Sequence, residues 1–148
     1  DDCVFLDEIH WMDPQAQDQC WRIAYHALFY THLYLAEAEQ SFSPWPRHRA
    51  DYQYLGRIQW DGKRLPAIGE PYTQADLLDY AAFCREEAST RLAATDFSAA
   101  SGFEWLPMNK LALQLYTLRH LALHIGELGA RLSAQGIAVR WLIKAEDA

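Results

Sequence analysis

The chain has 148 residues and a mass of 17.1 kDa, enough for one domain with its own core and too short for two ordinary ones. Apolar residues make up 51% and aromatics 14%, which argues against disorder. Lys and Arg total 13 against 20 Asp and Glu, a net charge of −7 at pH 7 that lacks the electrostatic footprint of a nucleic-acid binder. The basic residues are scattered apart from Arg47, His48 and Arg49. No apolar run approaches the roughly 20 residues needed to cross a bilayer, and no secretory pattern opens the chain, so neither a membrane nor DNA is expected as a partner. Cys3, Cys20 and Cys84 form neither a CxxC motif nor an even set, which points to buried thiols in a reducing cytoplasm.

Residues 1–13 carry an apolar cluster at Val4, Phe5, Leu6, Ile9 and Trp11, readable as the end of a helix. The chain begins at Asp1 rather than Met, leaving room for a preceding stretch. Asp13-Pro14 is a favourable helix entry, and the sequence then runs to about Gln40 without Gly or Pro. Ile23, Ala27, Tyr30, Tyr34 and Ala38 recur there at helical spacing. Four prolines and three glycines between positions 41 and 72 forbid a long helix, and Asp61-Gly62 suggests a small hairpin. A connection this long in a small domain is expected to be functional or partly structured. Thr73 followed by Asp76 resembles a capping box opening a helix to about Ala94, with Leu77, Tyr80, Ala81, Cys84, Ala88 and Leu92 as its apolar stripe. A loop over 95–107 precedes a third helix from about Met108 to Ala134, stopped at Gln135-Gly136. That last helix is apolar nearly all round and is expected to be deeply buried. Gly126 and Gly129 within it suggest close approach of a neighbouring helix. Residues 137–144 read as an extended tail.

Six histidines stand at positions 10, 26, 32, 48, 120 and 124. His120 and His124 are four apart on one helix, so both rings leave the same face and can meet one metal ion. The alternative is that each is hydrogen-bonded to a carbonyl or a tyrosine. A metal site usually needs a third protein ligand, and His26 is the best candidate because it shares a face with Ile23, Tyr30 and Leu33. His32 lies about 240° further round and should leave that face. His10 and His48 are expected to be solvated. Asn109 either caps the last helix or contacts a substrate. Position 121 is Leu, so HExxH is missing, and neither paired ExxH motifs, GxSxG, a Walker loop nor GxGxxG occurs. Nothing beside Cys20 or Cys84 would activate a thiol.

The segment Leu118-Arg-His120-Leu-Ala-Leu-His124-Ile-Gly126-Glu127-Leu128 resembles the HxxxHxGEL signature in the last helix of the DinB-like (YfiT-like) superfamily. Trp21 to Tyr30, with His26, resembles that superfamily's second helix. The likeness covers most of the chain in order. It implies a single all-α domain over 1–148, an up-and-down four-helix bundle whose first helix is missing or reduced to residues 1–13. The connection over 41–72 is long for the family. Matched residue by residue, His26, His120 and His124 take the places of the metal triad. The resemblance further implies a hydrolase or a low-molecular-weight-thiol S-transferase acting on a small molecule, and a homodimer. Zinc or nickel is the expected ion, although imidazole ligation also suits copper. Glu127, three residues past His124, is placed to orient a ligand ring or to sit as a solvated charge. Tyr30, one turn from His26, either donates a proton or fills the core. The alternative to an enzyme is a non-catalytic small-ligand-binding or interaction bundle.

Overall fold

The computed structural model describes residues 20–137. It contains helices α1 (Cys20–Leu33), α2 (Gln74–Ala94) and α3 (Lys110–Ala134), a 3₁₀ turn at Glu39–Ser41, and no strand among the described residues. α1 is central because apolar residues occupy nearly all its sides: Trp21, Ile23, Tyr25, Ala27, Phe29 and Leu33 are all buried. It packs against both α2 and α3, and the 41–72 connection covers what they leave. The described residues therefore form an all-α fold. The expectations for residues 1–13, the helix entry at Asp13-Pro14, His10, Cys3 and the tail beyond 137 lie outside the described residues.

α1 ends at Leu33 rather than near Gln40. The last carbonyls of the helix are taken by tighter bonds, Leu35 N–H to His32 O and Ala36 N–H to Leu33 O, both i→i+3. A tertiary clamp then holds the chain that follows. The Lys110 ammonium donates to the carbonyls of Ala36 (2.8 Å), Glu37 (2.7 Å) and Ser101 (2.6 Å). Gly102 crosses the same place at φ +85°, where a Cβ would stand 2.2 Å from Glu37 O. Only glycine allows both that φ and that approach.

α2 begins as its sequence foretells. Thr73 Oγ1 accepts from Asp76 N–H and the Asp76 carboxylate accepts from Thr73 N–H, a reciprocal cap. The 41–72 connection is held to α1 and α2 by aromatic packing. Trp45 stacks on Tyr80 at 4.6 Å and Tyr72 on Tyr25 at 4.8 Å, while the Tyr72 hydroxyl donates to Arg47 O. Arg47 pairs with Asp76 and Asp79 of α2. The expected hairpin at Asp61-Gly62 is a turn closed by one antiparallel bridge, Ile58 to Arg64, with Gly62 and Lys63 both at positive φ.

α3 opens on Asn109, whose side chain accepts from Ala112 N–H, and closes at Gly136 with φ +76°. Its surroundings differ from expectation. Leu111, Leu115, Leu118, Leu123 and Ile125 are all more than half exposed. A Cβ at Gly126 would meet nothing within 4 Å, so among the described residues no helix approaches closely there. Leu113, Thr117, His124, Leu128 and Leu132 form the buried face.

Candidate metal centre

α1 and α3 run antiparallel, and the Lys110 clamp sets their register. His120 lies ten positions after Lys110, and His26 lies ten before Ala36, whose carbonyl Lys110 binds. Each helix rises about 1.5 Å per residue, so the two histidines arrive at one level. Between these points the Gln114 amide donates to Tyr34 O at 2.9 Å, keeping the helices aligned. His124 follows His120 by about one turn and faces the same way.

The ligand atoms of His26, His120 and His124 all lie within 4.8 Å of one another, close enough to hold a metal ion. His120 Nε2 is 3.1 Å from His26 Nε2 and 3.1 Å from His124 Nε2. Two nitrogens each about 2.0–2.1 Å from one zinc ion lie roughly 3–3.4 Å apart, so these contacts match the span of a shared cation.

The outer nitrogens determine what the inner ones offer. His26 Nδ1 is 2.6 Å from Gln53 O. A carbonyl only accepts, so the proton sits on Nδ1 and the neutral ring turns a bare Nε2 inward. His124 Nδ1 is 2.6 Å from Glu127 Oε2, which fixes the same tautomer while that carboxylate is ionised. His120 Nε2 carries at most one proton when its ring is neutral, so it can satisfy one of the two lone pairs facing it. Its Nδ1 is buried without a hydrogen-bond partner among the described residues. A divalent cation accepts all three lone pairs at once, and the donor set suits one. Burial pushes the His26 pKa down to about 4, with the two neighbouring imidazoles adding to the effect, and burial lowers His120 in the same direction. Both rings are thus neutral and ligand-competent at physiological pH.

A cavity of about 750 Å³, within the range of small-molecule sites, is lined by none of the three histidines but by two residues that touch them, Tyr30 and Gln53. Its aromatic lining comes from Phe29, Tyr30, Phe42, Tyr54, Trp60 and Trp105. Tyr30 is the wall shared with the triad: its ring centroid is 4.8 Å from that of His26 and 5.7 Å from that of His120. Burial raises the Tyr30 pKa, so its phenol stays protonated at neutral pH and can donate but not act as a base. Gln53, which orients His26 through its carbonyl, also lines the cavity.

The structure brings His26, His120 and His124 together, sets Glu127 against His124 and places Tyr30 at their edge. Asn109 is a helix cap. His32 leaves the triad face as expected and is buried on the other side, 3.2 Å from the Tyr80 hydroxyl. His48 is not solvated: it is half-buried, 2.6 Å from the Tyr25 hydroxyl and packed on Phe29. Cys20 and Cys84 are buried, and burial pushes the Cys84 thiol up to about 12, far from a reactive thiolate. Sequence reasoning missed Gln53 and the two cavity tryptophans. Gln53 acts on His26 through its backbone, which leaves no trace in residue type. Among the described residues no helix is long and apolar enough to cross a membrane. No protein-family model matches this chain, nor does any curated protein or solved structure.

Proposed function

We propose that this chain is a metal-dependent enzyme of the DinB-like superfamily, a four-helix bundle in which His26, His120 and His124 hold a zinc or nickel ion. It acts on a small molecule as a hydrolase or a low-molecular-weight-thiol S-transferase. The observation that carries this reading is the set of three converging imidazole nitrogens, two of them with their outer N–H groups committed to Gln53 O and Glu127. When bound, the ion supplies Lewis acidity, which makes a nucleophile available at neutral pH from water or from a thiol. Gln53 and Glu127 keep the two rings turned inward and raise their basicity. The neutral Tyr30 phenol stands between triad and cavity, where it can donate a proton or hydrogen bond to a substrate. The cavity's aromatic walls offer that substrate an apolar contact surface.

A homodimer is supported by the exposed apolar stripe of Leu111, Leu115, Leu118 and Ile125 on α3, a larger apolar surface than isolated exposed leucines create. The proposal is tested by metal analysis of protein purified without chelator, with His120→Ala beside it. About one divalent ion per chain in the parent, and little in the variant, is expected; a chain unable to take up any ion overturns the reading. A non-catalytic ligand-binding bundle is the second reading, favoured by the 74% exposure of Trp60 at the cavity. It requires a metal whose coordination sphere is closed to small molecules.

A further inference from the structure

We propose that the cavity beside the triad selects an organic cation, a protonated amine carried on an apolar or aromatic body. This deepens the enzymatic reading and rests on it, since it treats the cavity as the substrate's seat. Three features carry it.

The first is charge. Among the described residues lining the cavity Glu39 is the one ionisable acid, and none of the lining residues is basic. Glu39 is exposed and forms no ion pair with any described residue. Within the cavity wall an anionic ligand would therefore meet a like charge and no basic side chain, whereas an ammonium would meet a carboxylate that is uncommitted. An ion at the triad would lie behind Tyr30 and Gln53, since none of the three histidines lines the cavity.

The second is the walls. Tyr30, Tyr54, Trp60 and Trp105 present electron-rich rings, the faces that attract a cation. Trp60 and Trp105 come from separate loops, at 74% and 51% exposure, an unfavourable setting for two indoles unless a ligand covers them. Tyr54 packs edge-on against Trp60 at 5.4 Å, which steadies that side of the opening.

The third is an unmatched acceptor. Gln53 Oε1 is buried without a hydrogen-bond partner among the described residues, and Gln53 lines the cavity. A buried amide oxygen without a donor is costly, and because Gln53 stands in the cavity wall, a turn of its side chain would offer that oxygen to an N–H of the ligand. Carboxylate, aromatic faces and orphan acceptor all ask for the same group. Gln53 and Tyr30 are the lining residues that also touch the triad, Gln53 through its carbonyl on His26 and Tyr30 through ring contact with His26 and His120.

The test is a charge series on one aromatic body: phenethylamine, 2-phenylethanol and 3-phenylpropionate, titrated by ligand-observed NMR. Protein treated with chelator is used first, so that the amine has no metal to coordinate. The ammonium is expected to bind about tenfold more tightly than the alcohol, and the carboxylate more weakly than either. Glu39→Gln is expected to bring amine and alcohol to within about threefold, and Trp105→Ala to weaken both. Equal or tighter binding of the carboxylate, a preference untouched by Glu39→Gln, or no binding of any member at millimolar concentration overturns the inference. Metal uptake measured on the same sample reports the triad separately. A failed series in protein that binds metal removes this inference alone, whereas an intact series in protein that binds none removes the enzyme and keeps the cation site.

Discussion

Lys110→Met perturbs the clamp that sets the register of the two histidine-bearing helices. Lys110 is 6% exposed, and its ammonium is shared by three carbonyls at 2.6–2.8 Å, with the Phe103 ring 5.6 Å away. Methionine keeps the volume and removes all three donors. Each buried carbonyl left without a donor costs about 1–3 kcal/mol, and the ammonium's own desolvation cost, which lowers its pKa, is recovered on substitution. Water can reach part of the gap, because Glu37 is exposed. The net loss is then about 3 kcal/mol, or roughly 10 °C in melting temperature for a domain of this size. Urea unfolding followed by circular dichroism measures it. Gly102→Ala strikes the same crossing differently, by driving a Cβ into Glu37 O, and is expected to destabilise to a similar degree. A loss below about 1 kcal/mol in Lys110→Met, with Gly102→Ala severe, would refute the ammonium's role and leave close packing alone as the clamp.

Two further outcomes follow from the site. Glu127→Gln keeps the shape of the contact to His124 Nδ1 but removes its charge, so divalent-metal affinity should fall by about 10–100-fold with the fold intact; competition with a chromogenic chelator reads this, and unchanged affinity would contradict the orienting role. Acid should destabilise the metal-free protein. His26 and His32 are each held down to about 4 when folded, chiefly by burial, against about 6.5 when unfolded. Between these values the unfolded chain binds more protons, so stability present above about pH 6.5 is lost as pH falls toward 4. Urea midpoints at several pH values should show that slope, and His32→Leu should lessen it; a midpoint flat from pH 7 to 5 would count against both assignments.

Much of this arrangement could be read from residue order. The α2 cap was legible because Thr73 and Asp76 solve a local problem with local atoms, and the end of α3 because Gly136 takes a conformation other residues resist. The triad was legible for a similar reason: i, i+4 spacing fixes the face of His120 and His124, and the stripe around His26 fixes its own. What the sequence did not disclose depends on distant contacts. α1 stops at Leu33 with neither Gly nor Pro near, because the 36–38 stretch is claimed by Lys110 and Gly102 from far along the chain. The cavity is assembled from α1, the 41–72 connection and the loop carrying Trp105, so no short window contains it. An apolar side on α3 was visible in composition, but composition is silent on whether another surface covers it. Asp-Gly at 61–62 does turn the chain, yet the flanking residues make one bridge because no third strand among the described residues supports a ladder.

Cobalt(II) titration of the chelator-treated protein tests the central claim most directly, since cobalt reports its ligands through visible absorption. Saturation at one equivalent per chain is predicted, with His26→Ala, His120→Ala and His124→Ala each losing that spectrum while retaining helical circular dichroism. Absorption that never saturates, or three variants that bind cobalt as the parent does, would contradict the assignment of these imidazoles to a single ion.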